Sequence, residues 1–548
     1  QTHAGLVRQT NRQVSPSDQQ WLAVWQPNLL HSDLQPGDQL VLRRQLAPRG
    51  RIVNQAGEEF VVERPAYQIS LDKAQLTDDA AAQLAQLLAR VLRLDPAVLA
   101  DQVAAASADA VVPVQILRAA DLGKFAIPRD QPGLLVQGTT LPLAPDRLFA
   151  RPLLGEAGLA DQATAQASDG QVQVGEVVGL SGLQNVYDAQ LRGRAGLRVD
   201  RVDAQGNIAD NPLFEAPAEA GEDVVITLDL AHQTAAEAAV ATVLDQPSAV
   251  VAIRPSTGGV LAAASGLGAD SHSTATLGQL PAGAPWLLVG ALALLRTGWE
   301  PETPIECPAS WRIGERRLAN PAGMVASAVG KTTLAEALAA GCLTALATVA
   351  QNLGENDLRQ AATDLGLLGP WPTLGAPNAA ASLPNKLSGN RLALALVGQG
   401  KVKVSPLAVA VMAASLAAGQ AVSPRLVASP TTAANQMVNP SDDAANISPA
   451  APASDSNTVN RAESAKQPAL SGDEATALSY IMSLSSTSGT ASLLQLPTGA
   501  LAFTGAGDQP GRDDWLIVTV GDLAVVSYAP GQASRVAKTY LDQVVGSD

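Results

Sequence analysis

Residues Ala284–Leu295, "APWLLVGALALL", lie in the longest run in the chain without a charged or hydroxyl-bearing side chain. A helix that is apolar all round reads as a core helix. The run is too short to cross a bilayer, which takes about 20 residues. A Gly/Pro turn, "QLPAG", precedes it, and Pro285 stands at the first helical position, where its missing N–H costs least. Ala284 therefore falls at the N-cap, where a serine, threonine, aspartate or asparagine is preferred. A well-formed helix start has lost its polar cap.

The rest of the chain supplies enough material to bury such a helix. Its 548 residues correspond to roughly two to four domains, and at 47% hydrophobic it supports sizeable cores. The net charge of −15 argues against nucleic-acid binding through a basic surface. Two cysteines, Cys307 and Cys342, are too few for a disulfide scaffold; one bridge and two buried thiols both fit. The four histidines show no ligand spacing, and no metal or cofactor site is readable. The polar opening "QTHAGLVRQTNRQ" shows no signal peptide, which fits either a cytosolic chain or one whose leader or anchor has been removed.

Along the chain, residues 1–37 hold a short Trp-bearing strand pattern, too little for a domain. "RGRIVNQAGEEFVVERPAYQISLD" has hairpin grammar around an Asn-Gln-Ala-Gly turn, with strands expected at Arg51–Val53, Glu59–Glu63 and Tyr67–Leu71. "DDAAAQLAQLLARVL" places Leu84, Leu87, Leu88 and Leu92 on one helical face. Gly179–Gly196 reads as one amphipathic helix, and the turn-rich stretch after it as a linker or hairpin. From about residue 222 come a strand, an Asp-started helix and a hairpin around "PSTGG". A long helical stretch follows over about 284–420, then three β-runs and a last helix near Ser534–Val545. Strands at both ends and helices between predict an α+β domain, with one antiparallel sheet built from the two ends. Residues 429–472 are low-complexity and read as a mobile insertion.

Three short motifs carry little. "VGKTT" (Val329–Thr333) lacks the first glycine of a phosphate-binding loop, Val325 standing in its place; Thr333 and Glu336 fit a capping box instead. Ser70–Lys73 is the only Ser-x-x-Lys and lies at a strand end, and Ser388–Asn390 is unspecific.

The order of segments from about Trp21 to Asp548 resembles the class B penicillin-binding proteins, bacterial D,D-transpeptidases. "PRGRIVNQAG" is similar to the Arg-Gly-x-Ile-x-Asp-x-x-Gly opening of their pedestal, with Asn54 for Asp. "GLSGLQNVYDAQLRGRAG" is similar to a Gly-x-x-Gly-Leu-Glu-x-x-Tyr-Asp segment, with Gln184 for Glu. "DVVITLDLAHQTAAEAA", "AVVAIRPSTGGVLAAAS" and "LALALVGQGKVKVSPLAVA" resemble the transpeptidase domain. The resemblance implies an α+β, multidomain chain. Its parts would be an N-terminal arm or remnant of a nuclear-transport-factor-like domain at 1–37, a β-rich pedestal at 38–221, and a serine β-lactamase-like transpeptidase domain, an antiparallel sheet with helices, at 222–548.

Set against that family, the catalytic positions stand out. Pro-Gly-Ser-x-x-Lys becomes Ala282-Gly283-Ala284-Pro285-Trp286-Leu287. Ser-x-Asn becomes Gly341-Cys342-Leu343. Lys-Thr-Gly becomes Phe503-Thr504-Gly505, followed by Ala506-Gly507-Asp508. Acyl transfer needs a nucleophile activated by an adjacent base; Ala284 has no oxygen and Leu287 cannot take a proton. Apolar replacements avoid unsatisfied buried polar groups, so a shallow, partly filled cleft is expected.

The resemblance therefore implies a catalytically inactive homologue with a structural or regulatory role in peptidoglycan synthesis or division. It would lie on the outer face of the cytoplasmic membrane, with an anchor upstream of Gln1. Membrane-embedded cell-wall synthesis or division proteins would be its partners. Two other readings are an envelope enzyme with altered activity, and a sensor that holds peptidoglycan peptides by strand addition at Thr504 and Gly505. An extracytoplasmic setting favours a Cys307–Cys342 bridge.

Overall fold

The computed structural model describes residue 27 and residues 31–266, 273–321, 324–354, 356–428, 470–505 and 514–546. Most of the 1–37 arm, nearly all of the 429–472 insertion, and Ala506–Asp508 lie outside the described residues. The chain forms two compact units. One combines the segments up to Gly50, Gln162–Gln173 and Ala189–Asp223; the other combines Arg51–Asp161, Val174–Asp188 and Val224 onward.

In chain order the first elements are strands β1 (Gln39–Gln45), β2 (Ile52–Asn54) and β3 (Glu59–Asp72), then helix α1 (Asp78–Leu92), then β4 (Val111–Arg118) and β5 (Leu134–Leu143). Short helices α2 (Gly182–Val186) and α3 (Asp188–Arg192) follow, with β6 (Gly196–Val202), β7 (Phe214–Ala216) and β8 (Val224–Ile226). In the first unit, β1, β6 and β7 make a three-stranded antiparallel sheet, so the turn-rich stretch is a hairpin.

In the second unit, β3 pairs with β4 and β5. The two expected strands over Glu59–Glu63 and Tyr67–Leu71 are one strand running through Pro65. Pairing with β4 begins only at Ala66, so one side of Pro65 has no partner strand, a setting in which proline is tolerated. Leu84, Leu88 and Leu92 of α1 pack on Ile69 and Leu71, with Leu87 half-buried at the margin. The Gly179–Gly196 segment is not one helix. It breaks at Tyr187, because the Asp188 carboxylate turns back to accept from the Gly179 amide (2.7 Å) and Tyr187, fully buried, donates its hydroxyl to the Gly375 carbonyl (2.9 Å).

The two places where the pedestal departs from the family pattern are both carboxylate-to-amide changes. Asn54 Oδ1 accepts from the Ala56 and Glu58 amides, holding the tight turn, while Nδ2 donates to the Leu228 carbonyl at 3.1 Å. Gln184 Nε2 donates to the Gly155 carbonyl at 3.2 Å. A carboxylate could accept at these places but not donate.

After β8 come α4 (Leu230–Val240), β9 (Ala249–Ile253) and β10 (Val260–Ser265), then the apolar helix α5 (Pro285–Leu295). The expected helical stretch over 284–420 is interrupted by β11 (Pro304–Cys307), β12 (Ser310–Ile313), β13 (Arg316–Ala319) and β14 (Gly330–Thr333). Here β11 pairs with β14, and β12 with β13. Pro301, Pro304 and Pro308 deny a helix its donors, and Gly314, at φ +60°, turns the hairpin. Helices α6 (Leu334–Ala339), α7 (Leu343–Val349), α8 (Asp357–Asp364), α9 (Asn390–Leu396), α10 (Pro406–Ala418) and α11 (Gly472–Thr487) follow. The chain closes with β15 (Leu501–Gly505), β16 (Trp515–Val520), β17 (Leu523–Tyr528) and α12 (Ala533–Val544).

The central sheet runs β10-β9-β17-β16-β15, all antiparallel, and so joins both ends of the domain. Val250, Ala252, Val518 and Val525 meet Ala236 and Ala239 of α4 and Val536 and Tyr540 of α12. The alternate side chains Val251, Ile517 and Val526 are buried too, and α10 packs on the same strands. The molecule is α+β.

Candidate functional site

Helix α5 starts where the turn Pro281–Gly283 is gripped from two sides. Trp515 on β16 donates its indole N–H to the Pro281 carbonyl (3.0 Å). Gly398, in the Gly-Gln-Gly segment, sits so close that a Cβ there would lie 2.6 Å from the Gly283 carbonyl oxygen. Only glycine allows that approach. Ala284 takes the N-cap position with helical backbone (φ −59°, ψ −40°) and makes no side-chain cap; it is 3% exposed and Leu287, three residues on, 1%. Every residue from Pro285 to Leu294 is buried.

The second motif position is the turn between α6 and α7. Thr333 and Glu336 close a complete capping box at the start of α6, the role expected for "VGKTT". Gly341 then turns the chain with φ +77°. A Cβ at Gly341 would lie 3.2 Å from Thr490 Cγ2, so a serine there would be strained and crowded. Cys342 is joined to Cys307 of β11 by a disulfide, which ties the strand excursion to this turn. Leu343 is buried.

The third position is strand β15 at the sheet edge. Phe503 is 1% exposed, and Thr504 donates its hydroxyl to the Trp515 carbonyl (2.7 Å). The amide of Ala502 donates to Ser486 Oγ (2.7 Å), and the carbonyl of Thr504 accepts from Thr490 Oγ1 (3.1 Å). The Thr504 carbonyl that strand addition would use already has a partner within the chain.

These three places come together: α5 packs against β15, α6 and α7. Thr490, which sequence reasoning missed, links two of them. Its amide donates to Ala339 O at the end of α6 (3.0 Å), while its hydroxyl meets Thr504 O. The signal was the hydroxyl-rich "SLSSTSGT" before a strand, with Gly489 so close to Ala339 that a Cβ would lie 2.2 Å from its carbonyl oxygen. The chain's only Ser-x-x-Lys lies elsewhere: Ser70 is in β3, and Lys73 is buried, donating to the Val103 and Ala106 carbonyls at a helix end. Asn390 merely opens α9.

The motif positions carry no titratable side chain. The charge nearest in sequence on α5 is Arg296 at the helix C-terminus, where a cation is favoured. It pairs with Asp364 of α8 and Glu474 of α11. Burial acts against both charges, but their hydrogen bonds outweigh it. Arg296 is held above the ordinary guanidinium value and Glu474 below the ordinary carboxylate value.

Comparison with known families finds a Penicillin-binding Protein dimerisation domain at residues 44–226 and a Penicillin binding protein transpeptidase domain at residues 248–495. No curated protein matches the chain. The dimerisation match contains the Asn54 turn and the Tyr187 segment; the transpeptidase match contains α5 and the Gly341 turn. With both domains on one chain in this order, the protein belongs to the class B penicillin-binding protein family.

Proposed function

We propose that this chain is a catalytically inactive penicillin-binding protein that keeps the transpeptidase scaffold for a structural or regulatory role in peptidoglycan synthesis or cell division. One observation carries the reading: the residue at the head of α5 is a buried alanine, with a leucine one turn on. Without a nucleophile and its base there is no covalent route, and loss of the nucleophile alone costs on the order of a millionfold in rate. Leu343 and Phe503 at the other two positions fit the same loss. The protein belongs to the cell envelope. The Cys307–Cys342 disulfide supports placement on the outer face of the membrane, since such bonds persist in oxidising compartments. Its partners would then be membrane-embedded cell-wall synthesis or division proteins. The occupied Thr504 carbonyl weighs against the sensor reading. Labelling with a fluorescent penicillin beside an active transpeptidase tests the proposal. No covalent band is expected from this protein, and a band that survives denaturation would overturn it.

A further inference from the structure

The β12–β13 hairpin shows a charge pattern that the fold does not use. Its register places Arg312 directly opposite Arg317, on the same face as Ser310 and Ala319. Both arginines are exposed. Arg317 Nε donates to Ser310 Oγ (3.1 Å), and among the described residues neither guanidinium pairs with a carboxylate. Glu315 in the turn pairs with neither. Like charges directly opposite each other weaken a strand pair. Counter-charges are not scarce in a chain with 51 acidic and 36 basic residues, yet none is set here.

The hairpin is also held rigidly. On its other face Ile313 and Leu318 are buried, and β12 packs on α7 and α9. At its base, Cys307 is disulfide-bonded, and Asn320 donates to the Pro308 carbonyl (3.0 Å) and accepts from the Thr344 amide (3.0 Å). A preorganised surface loses less freedom on binding. Trp311, 41% exposed, lies on that other face, directly opposite Leu318, so the arginine face is offered by the two guanidinium groups alone, and arginine is enriched at protein-interface hot spots.

We infer that this hairpin is a docking site for a short acidic segment of a partner protein, whose carboxylates Arg312 and Arg317 grip side by side. The net charge of −15 selects the class of anion. A long polyanion or an anionic membrane meets repulsion from the whole protein. A short segment feels mainly the field within a Debye length, about 8 Å at physiological salt. The inference holds whether or not the chain acylates penicillin.

The test is fluorescence anisotropy at low salt, using a fluorescein-labelled Gly-Glu-Asp-Glu-Asp-Gly peptide and the full chain. Saturable binding is expected that weakens as salt is raised. The pair Arg312→Glu and Arg317→Glu together should weaken it about tenfold or more. Arg317→Glu alone should weaken binding yet raise the melting temperature, because it replaces a like-charge pair by an opposite one. A merely structural role for the arginines would not separate these two readouts. Absence of peptide binding would overturn the inference. So would unchanged affinity in the double variant, or binding of polyphosphate or phosphatidylglycerol vesicles in preference to the peptide.

Discussion

Helices α5 and α10 both open with proline at the first helical position, and both are buried along nearly their whole length. At the head of α10, Ser405 has extended backbone (φ −94°, ψ 153°), and its hydroxyl accepts from the Ala408 amide at 3.1 Å. At the head of α5, Ala284 already has helical backbone and no cap. An N-cap residue works because its extended backbone swings the side chain back over the free amides. A serine at 284 would be held differently from Ser405. The absent hydroxyl is better read as an absent nucleophile than as an absent cap. What holds α5 in place is its surroundings: packing on every side, the ion pairs of Arg296 and, beside it, the disulfide-braced turn at Gly341.

If that contrast is right, cutting the braces around α5 should cost more than removing the cap of α10. Replacing Cys307 and Cys342 by serine opens a loop with a sequence separation of 35; the chain-entropy account puts the loss at about 4 kcal/mol, read from the urea midpoint. An unchanged midpoint would show that the bond braces nothing. Arg296→Met leaves Asp364 and Glu474 without their cation and should cost about 3 kcal/mol. The pH dependence gives a second reading of the same brace. Glu474 is held below its ordinary value, so its contribution is present above that value and is lost as pH falls through the lowered one. Arg296→Met should weaken this acid-side component, leaving what the Ser471 amide and hydroxyl supply, and an identical acid profile would contradict the assignment. Ser405→Ala should cost about 1 kcal/mol. Ala284→Ser should bring no gain and a loss of about 1 kcal/mol from a buried hydroxyl. A stabilisation matching the loss at Ser405 would erase the distinction between the two helix starts.

Much of this was legible in local chemistry. Pro285 after a Gly turn, the Asp229 cap of α4 and the Thr333–Glu336 box each depend on residues within a turn of one another. The end-to-end sheet followed from strands of buried apolar residues at both ends of the domain. Features set by distant partners were not legible. The break at Tyr187 depends on Gly375, far along the chain. The continuity of β3 through Pro65 depends on where β4 stops pairing. The Thr490 link depends on Ala339 and Thr504 meeting in space. Asn54 and Gln184 were legible as departures from the family pattern, but the carbonyls their amides serve were not.

On the proposed function, this transpeptidase scaffold forms no acyl-enzyme. Intact-protein mass spectrometry after prolonged incubation with excess penicillin tests it most directly. The mass of the wild-type chain should be unchanged, and that of Ala284→Ser as well, since Leu287 supplies no base. A penicilloyl adduct on the wild-type chain would contradict the account.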